Sequence, residues 1–136
     1  MIIISVDLGK ARTGLAISDK TGFLASPLTM IEEKSPARIL EKTAQVVTDN
    51  KAELVVVGLP KNMDGTEGES AKSARQFAHD LTELTGIKTV MQDERGTTIT
   101  AHGYLSARDV KGKKRKAQVD TVAAAIILQD YLDANR

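Results

Sequence analysis

Four consecutive apolar residues, Leu54-Val55-Val56-Val57, stand between Glu53 and Gly58. An unbroken apolar run of this kind is typical of a strand that is buried on both faces of a parallel sheet. A strand in that position needs helices packed above and below it. The run therefore predicts an α/β domain in which this strand is covered on both faces.

The sequence before this run predicts three strands and one helix. The strands are Ile2 to Asp7, a stretch around Leu15-Ala16-Ile17 that ends at Ser18-Asp19, and Phe23 to Met30. They form a meander, and Pro27 within the third strand indicates an edge position, because proline offers no backbone N–H to a neighbour. Ser35-Pro36 predicts a helix start with Ser35 as the N-cap, and apolar residues at helical spacing continue to about Asn50.

The sequence after the run predicts one more strand and three more helices. These elements are a helix begun by the capping box of Thr66 and Glu69 and closed by Gly86, a strand from Ile87 to Met91, a helix capped by Thr97-Thr98 and, after a basic loop, a last helix from about Ala117 to Leu132. The order β-β-β-α-β-α-β-α-α contains no repeat and no linker. It indicates one domain over residues 1–136.

The composition limits the classes of site that the chain can carry. None of the 136 residues is cysteine, which excludes disulfides, thiol catalysis and cysteine-ligated metal centres. A metal ion would therefore take oxygen or histidine ligands. The chain also lacks a signal-like N-terminus and the roughly 18 consecutive apolar residues of a membrane span. We expect a cytoplasmic protein with no membrane partner.

The charge of the chain is unevenly distributed, although its formal net value is only +1. Residues 108–116 contain six basic residues and one acid, which gives this segment a charge of +5. Only four residues are aromatic, which argues against the stacking platforms of single-strand binders. We therefore interpret the basic residues at several positions as phosphate contacts to a nucleic acid: Lys10, Arg12, Arg95, Lys113, Lys114, Arg115 and Lys116.

Carboxylates stand at three places, each at the end or edge of a predicted buried element. Asp7 ends the first strand, Asp93-Glu94 follows the last strand, and Asp120 lies in the apolar final helix. Ligands collect beyond the carboxyl ends of strands in such sheets, and a buried acid is costly unless it is paired or bound to a metal. Carboxylates from separate elements suit Mg²⁺ or Mn²⁺. The pattern leaves open whether Asp93 or Glu94 is the ligand.

Four separate sequence blocks span nearly the whole chain. They are Asp7-Leu8-Gly9-x-x-Arg12-x-Gly14-x-Ala16-x-Ser18-Asp19, Val57-Gly58-Leu59-Pro60-x-Asn62-Met63-Asp64-Gly65-Thr66, Asp93-Glu94-Arg95-x-Thr97-Thr98 and Val119-Asp120-x-x-Ala123-Ala124. In this order the blocks resemble the YqgF family of RNase H-like nucleases. The resemblance implies an RNase H-like fold, a mixed five-stranded sheet with helices on both faces. It also implies that Asp7, Glu94 and Asp120 are the catalytic, metal-binding triad.

That family is described both as Holliday junction resolvases and as nucleases for precursor small-subunit ribosomal RNA. The resemblance thus implies a divalent-metal-dependent hydrolase that cleaves phosphodiester bonds in structured nucleic acid. We favour structured RNA, with processing of the 5′ end of the precursor RNA in ribosome biogenesis, because one compact basic segment suits one strand or duplex near the cut. The alternatives are a resolvase of branched DNA in recombination and repair, and a non-catalytic nucleic-acid-binding assembly factor. A resolvase would act as a homodimer, whereas RNA trimming needs only a monomer.

Overall fold

The structure of the chain, a computed structural model, describes the backbone of residues 1–94 and 112–135. Side chains are described for residues 1–94 and 121–135. The described elements are β1 (Ile3–Asp7), β2 (Arg12–Ser18), β3 (Ala25–Glu32), α1 (Pro36–Asp49), β4 (Leu54–Leu59), α2 (Glu69–Thr85), β5 (Lys88–Asp93) and α3 (Gly112–Ala134). The helix predicted after Thr97-Thr98 lies outside the described residues.

The five strands form one mixed sheet, as predicted, and the structure gives their order as β3-β2-β1-β4-β5. Strand β1 pairs antiparallel with β2 and parallel with β4, and β4 pairs parallel with β5. The carboxyl ends of β1, β4 and β5 therefore lie at the same edge of the sheet. Their last residues are Asp7, Leu59 and Asp93.

Helices cover both faces of this sheet, which confirms the prediction from the apolar run in β4. Val55 and Val57 belong to a core built with residues of α1 and α2, and Leu54 and Val56 belong to a second core built with α3. All six residues of β4 are buried. Each buried side chain of this size contributes roughly 1.5–3 kcal/mol, so β4 holds both helical layers to the sheet.

Strand β3 is an edge strand, which confirms the prediction from Pro27. It spans Ala25–Glu32, two residues later at each end than predicted. The reason is a turn organised by Asp19, whose Oδ1 accepts hydrogen bonds from the N–H groups of Phe23 and Leu24 at 2.7 and 3.2 Å. Phe23 and Leu24 thus belong to the turn.

Helix α1 has the predicted N-cap residue but not the predicted capping hydrogen bond. Ser35 is the N-cap residue, yet its side chain makes no capping hydrogen bond. Just before the helix, Oε1 of Glu33 accepts hydrogen bonds from the backbone N–H groups of Lys34 and Ser35 at 3.1 and 3.4 Å, which orders the approach to the helix. The helix ends at Asp49, with Asn50 as its C-cap.

Helix α2 begins later than the predicted capping box of Thr66 and Glu69. Its N-cap is Gly68, and Glu69 is its first residue. The capping box is wrong because the Thr66 hydroxyl donates to Asp64 Oδ1 at 2.7 Å. The helix is closed as predicted by Gly86, in the left-handed conformation with φ 73°.

Helix α3 begins at Gly112, five residues before the predicted start at Ala117. The predicted loop at Lys113–Lys116 is therefore wrong, and these residues form the first turn of the helix. Lysine and arginine rank close behind alanine in helix propensity, so a basic run can extend a helix. None of the described helices contains an apolar stretch that could span a bilayer.

Candidate active site

Asp7 and Glu94 meet from two strands that are not neighbours in the sheet. Asp7 ends β1 and Glu94 follows β5, and β4 lies between these two strands. The side chains of Asp7 and Glu94 nevertheless share a hydrogen bond. Because neighbouring strands are spaced roughly 4.8 Å apart, the two carboxyl groups reach each other only across the width of β4.

Alternation along β1 places Asp7 on the face of the sheet that α3 covers. Ile3 belongs to the core under α3, and the buried Ser5 donates a hydrogen bond to the carbonyl oxygen of Ala124 at 2.6 Å. Side chains at every second position of a strand share a face. Asp7 is two residues after Ser5, so its side chain lies on the same face of the sheet, the face that α3 covers.

The same alternation in β5 distinguishes Glu94 from Asp93. Val90 packs in the core under α3, whereas Met91 packs in the core on the opposite face. Glu94 therefore lies on the same face of the sheet as Val90, and Asp93 lies on the same face as Met91. Of the two adjacent acids, Glu94 is the one whose carboxyl group meets Asp7.

The surroundings of Glu94 favour its neutral form. Burial raises the pKa of Glu94 to about 9, and the charge of Asp7, the hydrogen bond with Asp7 and the charge of Asp93 act in the same direction. Each of these effects penalises a second negative charge at this point. Without a bound cation, Glu94 therefore keeps its proton at neutral pH.

The backbone of β4 passes beneath this carboxyl pair at Gly58. A Cβ atom on Gly58 would overlap Oε2 of Glu94. Gly58 is not among the site residues predicted from the sequence. The sequence does contain a signal for such a role, because a glycine within a predicted strand often marks the close approach of another group.

Two contacts give the direction of α3 across the sheet. Gln129 accepts a hydrogen bond from the N–H of Ala25 at 2.9 Å. Ala25 pairs with Ser18, which lies beside the start of β1. The contact between Ala124 and Ser5 lies in the middle of β1. From Gln129 back to Ala124, the helix thus runs toward the carboxyl end of β1.

Asp120 lies one helical turn before Ala124 and therefore further in this direction. Its backbone is carried toward the sheet edge that holds Asp7 and Glu94. Its side chain lies outside the described side chains, so its place in the acidic triad stays a prediction. The helix direction supports that prediction.

Several of the positions predicted to contact phosphate lie at or toward the same edge of the sheet. Lys10 is exposed in the connection after β1, and Arg12 is half-buried at the start of β2. The positions 113–116 lie in the first turn of α3, at the end of the helix that points toward this edge. Arg95 lies outside the described residues. These seven contacts stay predictions.

The Asp7–Glu94 pair fits the donor chemistry of a divalent cation. Among residues 1–94 and 121–135, no group of three or more metal-ligating side chains is arranged around one point. Asp7 and Glu94 are two of the three predicted ligands. Carboxylate oxygens are the ligands that Mg²⁺ and Mn²⁺ prefer, and every cause that raises the pKa of Glu94 would be offset by a cation between the two groups.

The chain is similar to several known proteins. The model of the RuvX family, described as "Holliday junction resolvase", matches residues 1–134. A protein of Shouchella clausii named "Putative pre-16S rRNA nuclease" is 45% identical over 98% of this chain and 95% of its own. A protein of Chloroflexus aurantiacus with the same name is 42% identical over 99% of this chain and 88% of its own.

A solved structure shows the same fold. It is Thermus thermophilus RuvC in complex with a Holliday junction substrate, with a TM-score of 0.64. The alignment covers 99% of this chain and 95% of that chain at 16% identity. At this identity the likeness concerns the fold alone, and it confirms the predicted RNase H-like architecture.

Proposed function

The chain belongs to the RuvX family of nucleases, and from this premise we propose that Asp7, Glu94 and Asp120 bind divalent metal ions for phosphodiester hydrolysis. The observation that carries the proposal is the contact of the Asp7 and Glu94 carboxyl groups across β4. Two acids are held together here at the carboxyl edge of a sheet. Burying two acids side by side is costly unless they bind a cation or share a proton.

The metal ion and the side chains of the protein have different roles in the proposed reaction. When bound, Mg²⁺ or Mn²⁺ lowers the pKa of a water ligand and stabilises the charge that develops on the phosphate oxygens. Asp7 and Glu94 would hold the ion, with Glu94 in its carboxylate form. The basic residues hold the nucleic-acid backbone beside the acids, since phosphate contacts orient a strand without reading its bases.

We propose structured RNA as the substrate, and in particular the 5′ end of precursor small-subunit ribosomal RNA. Two relatives at 45% and 42% identity carry the name of that nuclease. The single basic segment with a charge of +5 suits one strand or duplex near the cut. Trimming one RNA end needs one site, so the chain acts as a monomer in this proposal.

The second candidate is resolution of Holliday junctions, because the family model carries that description. A junction resolvase cuts two symmetric strands. It therefore needs two copies of the site with a fixed spacing, which one chain obtains as a homodimer. Oligomeric state in solution, measured by light scattering, separates this candidate from the first before any cleavage is measured.

The deciding experiment compares cleavage of two substrates by the same protein. One is a precursor ribosomal RNA fragment that carries its 5′ extension, and the other is a four-way DNA junction. Each is incubated with wild type, Asp7→Asn and the control Asp49→Asn, which makes the same chemical change at an exposed position of α1. We expect RNA trimming with Mg²⁺ or Mn²⁺ by wild type and the control alone.

The other outcomes have definite meanings. Symmetric cuts in the junction with intact RNA would select the second candidate. Cleavage by Asp7→Asn at the wild-type rate would overturn the assignment of the acids. Binding without cleavage of either substrate by wild type would favour a non-catalytic assembly factor.

A further inference from the structure

Gly58 lies in β4 at the level of the Asp7–Glu94 contact. Its neighbour Val57 pairs with Val6 of β1, so Gly58 stands beside Asp7. On its other side Gly58 pairs with Gln92 of β5, two residues before Glu94. Leu54 and Val56 of the same strand face α3, and alternation places position 58 on that face too.

A side chain at position 58 has no space on this face. A Cβ atom there would overlap Oε2 of Glu94 and would lie 3.0 Å from Cδ of Glu94 and 2.9 Å from Cδ1 of Ile127. Carbon atoms in contact are normally about 3.5–4.0 Å apart. The carboxyl group of Glu94 therefore occupies the volume that a side chain at position 58 would fill.

The backbone conformation of Gly58 does not itself require glycine. In the described part of the chain, the glycines with a left-handed backbone are Gly22, Gly65 and Gly86. Gly58 instead lies in a strand, where glycine is usually unfavourable because it has no side chain to pack. The close approach of Glu94 and Ile127 explains the glycine, whereas the geometry of the main chain does not.

We infer that Gly58 is a positioning residue for Glu94: its missing side chain leaves the space through which the Glu94 carboxyl group crosses β4 to Asp7. Any larger residue at position 58 displaces Glu94 from Asp7. The consequence for ion binding and cleavage rests on the proposed function, whereas the displacement itself does not.

The test uses one substitution and a matched control. Gly58→Ala adds a methyl group where the space is filled, and Gly68→Ala adds the same group where no atom lies within 4 Å. Mn²⁺ affinity is measured by calorimetry, and the crystal structures of wild type and Gly58→Ala show the distance between the carboxyl groups of residues 7 and 94. We expect Gly58→Ala to separate the carboxyl groups and to weaken Mn²⁺ binding about 10–100-fold, the usual effect of disturbing a ligand's support. Gly68→Ala should match wild type.

A second variant separates the positioning of Glu94 from simple packing of α3. Ile127→Val removes the Cδ1 atom that a Cβ at position 58 would approach. If Gly58 positions Glu94, the double variant Gly58→Ala/Ile127→Val keeps the loss of Mn²⁺ affinity. Recovery of wild-type affinity in the double variant would overturn the inference, because the helix contact alone would then explain the glycine. If Gly58→Ala alone does not fold, the double variant, which lacks the contact with Cδ1 of Ile127, takes its place in the comparison with wild type.

The readouts distinguish this inference from the proposed function. Equal Mn²⁺ affinity of wild type and Gly58→Ala, with an intact contact between residues 7 and 94, would refute the positioning role and leave the nuclease proposal standing. Absence of Mn²⁺ binding to wild type would refute the metal site. The positioning role would then stand or fall on the crystallographic distance alone.

Discussion

Glu94 shares a hydrogen bond with Asp7 across the full width of strand β4. The contact has a thermodynamic consequence, because burial and the neighbouring acids raise the pKa of Glu94 from 4.5 to about 9. The unfolded chain releases this proton near pH 4.5, whereas the folded chain keeps it to about pH 9. The folded state therefore binds more protons in this window, and stability falls as the pH rises through it.

We predict that the metal-free protein is less stable at pH 8 than at pH 6 because of Glu94. The upper limit is about 1.4 kcal/mol per pH unit for one proton, and we expect about 1–2 kcal/mol over these two units because the site relaxes. The measurement is urea unfolding in the presence of a chelator. Glu94→Gln cannot ionise, so this contribution should be missing from its pH dependence. The same loss in both proteins would show that Glu94 is already ionised when folded.

Divalent-ion binding should release protons at pH 7. The carboxylate form of Glu94 is the ligand, but the metal-free protein holds it neutral. We expect release of about one proton per chain, since one group changes its state. Calorimetric Mn²⁺ titrations in buffers of different ionisation enthalpy measure this number. Titrations of wild type whose heats do not depend on the buffer would contradict the prediction.

The central part of the fold could be predicted from sequence because its signals are local. The apolar composition of one run is enough to predict that both faces of β4 are covered: Leu54-Val55-Val56-Val57. Pro27 indicates an edge strand through a missing donor, and Gly86 ends a helix through its left-handed backbone. Each of these residues determines the local structure through its own backbone or its own polarity, so no distant partner has to be known to predict the effect.

Other features depend on partners that are distant in sequence. Thr66 carries the signature of a helix cap, but Asp64 competes for its hydroxyl once the loop has formed. The importance of Gly58 becomes visible only when Glu94 and Ile127 are brought over it. Asp93 and Glu94 could be distinguished only after the residues of β5 were assigned to the two cores, because a shift of one residue exchanges the faces.

The basic first turn of α3 should contribute to nucleic-acid affinity through phosphate contacts. Replacing Lys113, Lys114, Arg115 and Lys116 by alanine keeps the helix, since alanine has the highest helix propensity. Affinity should fall for all sequences alike, and the slope of log K against log salt should decrease by up to about 0.9 per lost duplex phosphate contact. Binding to an RNA hairpin is measured at several salt concentrations.

A control removes the same positive charge elsewhere on the surface. The exposed lysines for this variant lie at other positions of the described chain: Lys20, Lys42, Lys72 and Lys88. This variant should retain most of the salt slope of the wild type. Equal slopes for wild type and the α3 variant would show that the basic turn is only a solvated surface.

The last prediction concerns the buried hydroxyl of Ser5, which holds α3 on the sheet. Ser5→Ala removes its 2.6 Å hydrogen bond to the carbonyl oxygen of Ala124. We expect a loss of about 0.5–1.5 kcal/mol in the free energy of unfolding, the usual net value of one neutral hydrogen bond. Because Asp120 lies one turn from Ala124, a shift of α3 should also lower cleavage.

Ser18→Ala is the matched control for that prediction. Ser18 is also buried, and its Oγ accepts a hydrogen bond from the N–H of Ile3 at 2.9 Å, at the start of β1 and away from the acids. We expect Ser18→Ala to reduce stability by about 1–3 kcal/mol, since it leaves a buried N–H without this partner, but to cleave RNA at the wild-type rate below its unfolding transition. Ser5→Ala, by contrast, should cleave several-fold more slowly at equal folded fraction. If the two variants lose activity only in proportion to stability, the position of α3 does not control the site, and Asp120 loses its structural support as the third acid.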